Sequence, residues 1–299
     1  MDPIALILVF ASAGMHAAWN YWAKRAKDSL SFLWGLAAVA PLVAGAVVLG
    51  DYLIYTLSSR QFGHAPDFST WKLAILGGVI QAAYFSFMGA GYNRGDLSVV
   101  YPVSRGAAPV IIVGVAWVFL HEQPSVVGSA GIIVILIGTL ILAYDLLFGE
   151  TAPAATSRPA SSVGFALFAA VTIALYHVVD KVGAQGSSVT SYLFLMETVI
   201  ILSIVPLLLV RKDLAAVRTE FRQNGRIIVG AAVLMYIAYC LVVTAMMRES
   251  VAYVAAARNI SILVGIVLGA TRLREGTLGV RLLAGLLILG GIFALAVGA

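Results

Sequence analysis

Charged residues are scarce in this sequence, and cysteine is almost absent. Only 11% of the 299 residues are charged, whereas 61% are hydrophobic. A soluble domain carries about 25% charged residues, so this chain has too few of them to cover a surface that faces water. The single cysteine, Cys240, permits neither an intramolecular disulfide nor a cysteine-based metal site. The composition therefore indicates a protein whose solvent is lipid.

Enzyme and cofactor motifs are also missing. The sequence has no GxSxG, no Walker A loop and no HExxH, and its four histidines do not have metal-ligand spacing. Without a nucleotide-binding loop, this chain alone does not form a primary pump. We therefore predict that the protein is not an enzyme and uses no cofactor or metal. The net charge of +5 does not indicate a nucleic-acid partner, because the basic residues lie in short loops between apolar segments.

Long apolar runs occupy most of the chain. A helix needs about 20 apolar residues to cross the hydrocarbon core, and it pairs its backbone polar groups within the segment, as lipid requires. The runs predict an all-α integral membrane protein with ten transmembrane helices, surrounded by the lipid bilayer of a bacterial inner membrane. The predicted spans are 4–23, 31–50, 71–92, 97–119, 126–147, 162–182, 188–210, 226–247, 251–271 and 277–297.

The second half of the sequence resembles the first. When the chain is shifted by 153 residues, Arg105 aligns with Arg258 and Glu122 with Glu275. Such matches are informative because charge is rare here. Two repeats with an odd number of spans are inserted in opposite directions, a common plan of secondary transporters that bind substrate near the midplane. The predicted units are the first five-helix repeat (1–147), a linker rich in Ala, Pro, Ser and Thr (148–161) and the second five-helix repeat (162–299).

Basic residues are distributed unequally between the two faces of this topology. Thirteen Lys and Arg lie in the loops that follow the odd-numbered spans, and four lie on the opposite side. The positive-inside rule places the more basic side in the cytoplasm. The charge distribution therefore predicts that both termini are periplasmic.

Three stretches resemble a known family of carriers. Residues 107–122 and 268–275 end their spans in a similar way, and each is followed by a helix that contains glycine. With the opening motif at 15–20 and the five-plus-five plan, the chain resembles EamA-type members of the drug/metabolite transporter superfamily. The resemblance implies a carrier for amino acids or other metabolites, often an exporter, and the family includes aromatic amino-acid exporters. Bacterial members usually have cytoplasmic termini, which is the opposite of what the charge distribution predicts.

Three ionisable side chains fall near the middle of predicted spans, where charge is costly and often functional. Arg105 and Arg258 occupy equivalent places in the two repeats. A guanidinium group can hold a carboxylate through two parallel hydrogen bonds, so we predict that both bind substrate. The alternatives are a structural ion pair with Glu197 or snorkelling towards the interface. Glu197 is the only acid that we place clearly inside the membrane, and we predict a proton-coupling or counter-ion role for it.

Polar and aromatic residues on several spans complete the predicted binding site. In the first span, Ser12, His16, Asn20 and Lys24 recur every four residues and form a polar stripe. Aromatic residues on other spans could form the wall for a flat or apolar substrate side chain, although aromatic packing between helices explains any one of them as well. Besides the two arginines, the predicted substrate-binding residues are His16, Trp19, Asn20, Gln81, Tyr84, Tyr101, Tyr176, His177, Tyr236 and Tyr239.

Proline and glycine indicate where helices bend and approach each other. Pro102 and Pro109 flank Arg105, and each removes one intrahelical hydrogen bond, so we predict them as hinge residues. Residues 265–269 form a GxxxG motif, which allows two backbones to come close. Packing within the chain is the simpler use of this motif. We therefore predict a monomer and keep a homodimer as the alternative.

Together these features predict a secondary active transporter for a small-molecule substrate. The leading substrate is an amino acid, with aromatic ones included, which the protein exports by alternating access. One alternative is a carrier of phosphonates or other organic anions, for which the two arginines are equally suitable. An alternative from another class is an integral-membrane enzyme that uses His16, His177 and Glu197 as acid–base groups.

Overall fold

The computed structural model describes residues 1–57, 66–94, 97–148, 159–211, 214–261 and 278–298. Within these ranges the chain is helical and contains no strand, which confirms the all-α prediction. The helices bounded in them are α1 (Pro3–Arg25), α2 (Ser29–Leu57), α3 (Phe68–Arg94), α4 (Leu97–Leu120), α5 (Val126–Phe148), α6 (Pro159–Gln185), α7 (Val189–Arg211), α8 (Leu214–Met246), α9 (Val251–Ala257) and α10 (Leu278–Gly298).

Most of these helices are suited to a membrane. Within the described ranges, seven are long and apolar enough to cross it, and α5 and α10 contain shorter apolar stretches, Val126–Ile141 and Leu283–Leu295. Of the predicted span 251–271, the part after residue 261 lies outside the described residues. The GxxxG motif and most of the predicted linker also lie outside them. The protein is therefore a multi-pass helical membrane protein.

The distribution of side chains is that of a protein dissolved in lipid. Large apolar residues such as Ile7, Leu140 and Phe293 are more than half exposed on the outer face. Charged and polar residues, among them Arg105 and Arg258, are buried in the interior. Since ionisable groups at bilayer depth are costly and usually face a bundle interior, this interior is the part of the fold to search for a function.

Helix α8 begins earlier than the sequence predicts. Residues 214–225 were expected to form part of a connection, but α8 starts at Leu214 and leaves helical geometry only at Asn224 (φ −123°, ψ 17°). Asn224 Nδ2 donates to Glu220 Oε1 across 2.6 Å at this bend. The first part of α8 has arginines between its apolar residues, so its apolar run is too short to be recognised as a span. A helix at the membrane interface needs no such run.

The helices pack in pairs that join the two halves. Helix α3 lies along α6, and α1 lies along α8. In the same way, α3 contacts α7 and α2 contacts α8, while α2 also contacts α7. Helix α4 contacts α6 and the short α9, and α10 packs along α5. The core is therefore shared between the halves rather than built separately within each.

Glycines bring α5 and α10 into backbone contact. A Cβ atom on Gly138 would lie 2.8 Å from the carbonyl oxygen of Ala284, and one on Gly131 would lie 2.8 Å from that of Gly291. Real side chains do not tolerate such distances, so these positions require glycine. Close approach at small residues is a common way for membrane helices to associate.

One end of the bundle is closed by polar contacts between α4, α6 and α9. After Leu120, His121 adopts a left-handed conformation (φ 55°) and the N–H of Glu122 donates back to the carbonyl of Ala116, a common helix ending. Glu122 Oε2 then accepts a 2.9 Å hydrogen bond from the backbone N–H of Val251, and its other oxygen pairs with Lys181. The ion pair thus connects the C-terminal ends of α4 and α6 with the start of α9.

Candidate functional site

Two buried arginines meet at one histidine in the centre of the bundle. Arg105 lies in the middle of α4, Arg258 directly follows α9, and both are about 95% buried. Arg105 Nη2 donates to Nε2 of His16 on α1, and Arg258 Nη2 lies 3.3 Å from Nδ1 of the same ring. A neutral imidazole offers one lone pair and one N–H. His16 can therefore accept a hydrogen bond from only one guanidinium group at a time.

The two guanidinium groups have no carboxylate partner among the residues that the structure describes. The ion pairs in this part of the chain are Lys181–Glu122 and Arg248–Asp2. The Nε atoms of both arginines and Nη1 of Arg258 have no hydrogen-bond partner there either. Within the described residues, neither arginine therefore forms the alternative structural ion pair with Glu197. Buried cations without partners are costly, and an anion between them would supply what they lack.

Two chambers have the arginines in their walls. The space between the wall atoms, including the part open to solvent, is about 360 Å³ in the larger and about 210 Å³ in the smaller. Both are lined by Arg105 and Arg258. The larger is also lined by His16, Trp19, Gln81, Tyr84, Phe85, Tyr176, Glu197, Met235 and Tyr239. The smaller is also lined by Ala108, Pro109, Ile112, Ile173, His177, Ala255 and Asn259.

Aromatic rings surround the larger chamber in contact with one another. Tyr176 stacks on His177 with 4.6 Å between ring centroids, and Tyr84 and Tyr239 meet Tyr176 edge-on at 5.7 and 6.0 Å. Trp19 meets the ring of His16 edge-on at 4.8 Å. Such edge-to-face contacts hold rings in fixed orientations. The chamber therefore has a rigid wall suited to an apolar or flat group.

His177 belongs to the smaller chamber and has a defined role in hydrogen bonding. Its Nδ1 lies 2.7 Å from the carbonyl oxygen of Ile173, so Nδ1 carries the proton and donates. Nε2 of the neutral ring then holds a lone pair, and it has no partner among the described residues. The amide nitrogen of Asn259, in the same chamber, is also unpaired within this part of the chain. The smaller chamber thus offers both an acceptor and a donor.

Besides Glu197, the helices bury an acid that is not among the predicted site residues. Asp180 on α6 is fully buried, and it accepts hydrogen bonds from Gln81 Nε2 at 2.8 Å, from the Tyr192 hydroxyl at 2.7 Å and from the Tyr239 hydroxyl. Glu197 is therefore not the only acid buried among the described helices. The available signal was the position of Asp180 one turn after Tyr176 in an otherwise apolar segment. Asp180 joins α3, α6, α7 and α8, whereas Glu197 lines the larger chamber.

Several predicted residues lie beside the chambers rather than in their walls. Asn20 Nδ2 donates to the carbonyl of His16 at 2.8 Å, and its side-chain oxygen is 3.3 Å from the Tyr92 hydroxyl. Tyr236 is buried but lines neither chamber. Tyr101 approaches the site from α4, where the centre of the Arg105 guanidinium lies 5.8 Å from the centroid of its ring.

The two predicted hinge residues lie within a helix that remains continuous. Helix α4 is helical through both Pro102 and Pro109. Pro109 lines the smaller chamber, and the side chain of Pro102 lies outside the description. Their role as hinges stays a prediction.

Among the described residues, no group of three His, Cys, Asp or Glu is arranged to hold a metal ion.

An apolar helical bundle with a central cavity that two buried arginines line defines the class: a multi-pass membrane protein with charged groups in its interior. The model of the EamA-like transporter family matches residues 3–144. The chain therefore contains an EamA-like transporter domain, which confirms the resemblance seen in the sequence.

The whole fold has a counterpart of known structure. A protein crystal structure aligns with 98% of this chain and 96% of its own, with a TM-score of 0.68 and 16% sequence identity. At this identity the likeness concerns the fold alone, and it extends beyond the matched domain into the second half of the chain. No curated protein matches the sequence at a significant level.

Proposed function

We propose that this protein is a secondary active transporter that exports an amino acid across the bacterial inner membrane by alternating access. The EamA-like domain supports transport of a small metabolite. The observation that carries the substrate class is the pair of buried arginines that meet at His16 and have no carboxylate partner among the described residues. A substrate carboxylate would accept the hydrogen bonds that one imidazole cannot. Charge-assisted bonds of this kind are roughly twice as strong as neutral ones.

The aromatic wall supports an amino acid with an apolar or aromatic side chain. Tyr84, Tyr176 and Tyr239 line the same chamber as the arginines. Binding sites for small molecules are typically apolar with a few polar groups that fix orientation. In this proposal the carboxylate meets Arg105 and Arg258, and the side chain packs against the tyrosines.

The packing of the two halves supports an inverted repeat and a rocking mechanism. In an inverted repeat, α1 to α5 would correspond to α6 to α10. The helix pair α3–α6 would then be equivalent to α8–α1, and the pair α3–α7 to α8–α2. All four of these helix pairs are in contact. The glycine contacts agree in detail. Under the 153-residue shift that aligns the arginines, residue 138 corresponds to 291, and residue 131 corresponds to 284. The contact between residues 138 and 284 is therefore the repeat equivalent of the contact between residues 291 and 131. Inverted repeats of this kind commonly alternate access around a central site.

Transport by purified protein in liposomes tests the proposal. We expect Arg105→Gln and Arg258→Gln to weaken amino-acid binding at least about tenfold, since truncating one partner of a buried charge pair costs about 2–5 kcal/mol and each 1.4 kcal/mol is tenfold. Arg248→Gln is the matched control, because Arg248 is half exposed and pairs with Asp2 away from the chambers. Wild-type uptake by both chamber variants would remove the arginines from the substrate site.

A phosphonate or another organic anion is the second candidate substrate. Two guanidinium groups offer more donors than the two oxygens of one carboxylate need, and a phosphonate has three oxygens. Competition for uptake by methylphosphonate, without competition by amino acids, would favour this alternative. The membrane-enzyme alternative has less support, because His16 is occupied by arginines and His177 Nδ1 by a backbone carbonyl.

A further inference from the structure

The larger chamber brings cationic side chains and a carboxyl group together in one cavity. Arg105 and Arg258 reach it from α4 and the end of α9, and Glu197 reaches it from α7. No ion pair joins Glu197 to either arginine within the part of the chain that the structure describes. The cationic and acidic groups are therefore held apart in one cavity, rather than neutralised by each other.

Glu197 has an oxygen that no described residue uses. The side chain is about 98% buried, and Oε2 has no hydrogen-bond partner among the described residues. Gln81, which lines the same chamber, directs its amide nitrogen to Asp180 at 2.8 Å and to Met196 Sδ at 3.0 Å. Because both hydrogens of that amide are committed, it cannot serve Glu197. A buried carboxylate without a partner is costly.

Asp180 is also buried, but it cannot take the same part. Asp180 accepts hydrogen bonds from Gln81, Tyr192 and Tyr239 and does not line either chamber. Its hydrogen-bonding capacity is largely filled by side chains that hold four helices together. Glu197 is thus the acid that faces the cavity with free capacity.

We infer that Glu197 binds the ammonium group of the substrate, so that the chamber selects a zwitterion over a simple organic acid. This inference rests on the proposed function and assigns its second charged contact. The substrate would lie with its acid group at Arg105 and Arg258 and its ammonium at Glu197. Tyr84, Tyr176 and Tyr239 line the same chamber. The faces of their aromatic rings attract cations such as an ammonium group. The ligand class is an amino acid with an apolar side chain.

Matched ligands that differ only in the ammonium group test the inference. Binding of L-phenylalanine and 3-phenylpropionate, and of L-leucine and 4-methylpentanoate, would be measured calorimetrically on the full-length protein in detergent. A hydrogen bond to a charged group contributes enough to affinity that the wild-type protein should bind each amino acid about 10- to 100-fold more tightly than its deaminated partner. Glu197→Gln should remove this preference by weakening binding of the amino acids alone.

Two further variants separate a binding role from a structural one. Glu197→Asp keeps the charge and should retain part of the preference for the amino acids. Glu220→Gln is the matched control, because Glu220 is also a buried carboxylate but bonds Asn224 at the bend of α8, outside the chambers. We expect Glu220→Gln to bind all four ligands as the wild type does.

Four results would overturn the inference. Equal binding of amino acid and deaminated acid by the wild type would show that the ammonium group is not recognised. Equal weakening of both by Glu197→Gln would show that Glu197 only shapes the cavity. Unchanged binding by Glu197→Gln together with loss of uptake driven by a pH gradient would assign Glu197 to proton coupling. If the wild type binds none of the four ligands, the amino-acid function fails, and the ammonium site fails with it.

Discussion

Arg105 and Arg258 share a single hydrogen-bond acceptor, the imidazole of His16. The two side chains come from different halves of the protein and occupy equivalent positions under the 153-residue shift. Since a neutral imidazole can accept only one hydrogen bond, one guanidinium always faces an N–H rather than a lone pair. The centre of the protein is therefore deficient in acceptors until an anion arrives.

The first prediction concerns His16. His16→Ala removes an acceptor that both arginines contact, so we expect the free energy of unfolding without ligand to fall by about 1–3 kcal/mol, the cost of unsatisfied buried donors. A bound carboxylate supplies acceptors of its own, so the gain in melting temperature on adding substrate should be larger than in the wild type. Thermal denaturation with and without ligand measures both. An unchanged melting temperature in the absence of ligand would contradict the shared-acceptor arrangement.

The second prediction concerns the ion pair that closes one end of the bundle. Lys181 and Glu122 are each more than 80% buried at their side chains, so their pairing is poorly screened by solvent. We expect Lys181→Met to lower stability by about 1–3 kcal/mol, between the values for exposed and fully buried pairs. Arg248→Met breaks the more exposed pair with Asp2 and should cost about 1 kcal/mol or less. Denaturation of the two variants under one condition compares them, and equal losses would be the contrary result.

The third prediction uses two adjacent glycines in α10. A Cβ on Gly291 would lie 2.6 Å from the carbonyl oxygen of Gly131, whereas one on Gly290 would have no heavy atom within 4 Å. We expect Gly291→Ala to destabilise the protein by about 1–3 kcal/mol through overpacking. Gly290→Ala should be neutral or stabilising, because alanine favours the helix by about 1 kcal/mol. Thermal denaturation of the pair measures the contrast, and similar melting temperatures would rule out a close α5–α10 contact at this position.

The fourth prediction concerns acid stability at the start of α2. Burial of Asp28 opposes its ionisation, but hydrogen bonds from Ser31, Asn93 and the Leu30 N–H outweigh burial and lower its pKa below the ordinary value of 3.8. A carboxyl with a lowered folded-state pKa contributes stability that is complete above its unfolded pKa and is lost as the pH falls through the folded one. The contribution of Asp28 is therefore complete above pH 3.8 and declines in stronger acid.

Two substitutions measure this contribution. Asp28→Asn keeps an oxygen that can cap the helix but cannot titrate, so the loss of stability below pH 4 should be smaller than in the wild type. Asp28→Ala removes the cap and should cost about 1 kcal/mol at neutral pH. Melting temperatures across a pH series test both, and an identical acid response of Asp28→Asn and wild type would exclude Asp28 as the group responsible.

The sequence was sufficient to predict an all-helical membrane protein and to single out the two buried arginines, for a physical reason. A chain in lipid needs long apolar runs and can carry few charges within them, so Arg105 and Arg258 are conspicuous in one dimension. Asp180 is less conspicuous because Lys181 follows it, and the two together resemble the end of a span. Three hydrogen-bond donors from other helices surround Asp180. This arrangement depends on tertiary packing, so a local sequence pattern does not predict it.

The polar stripe of α1 shows the same limit in geometry. A helix turns by about 100° per residue, so positions four apart differ by about 40°. His16 faces the arginines, and Asn20 is rotated away from them and bonds back to the carbonyl of His16 and to Tyr92. The spacing predicts a shared face, but which of its side chains reach the cavity depends on the positions of the neighbouring helices α3, α4 and α9.

The contact between α5 and α10 has a consequence for how the protein is made. Helix α5 ends at Phe148, and its glycine partner Gly291 is synthesised more than 140 residues later. During translation, lipid therefore covers the small-residue face of α5 until α10 is inserted. The other helices of the first half also lack partners at this stage, because many of their contacts are with helices of the second half. A chain truncated before α10 would leave the glycine face of α5 without its helix partner. We expect membrane quality-control proteases to act on this incompletely packed form.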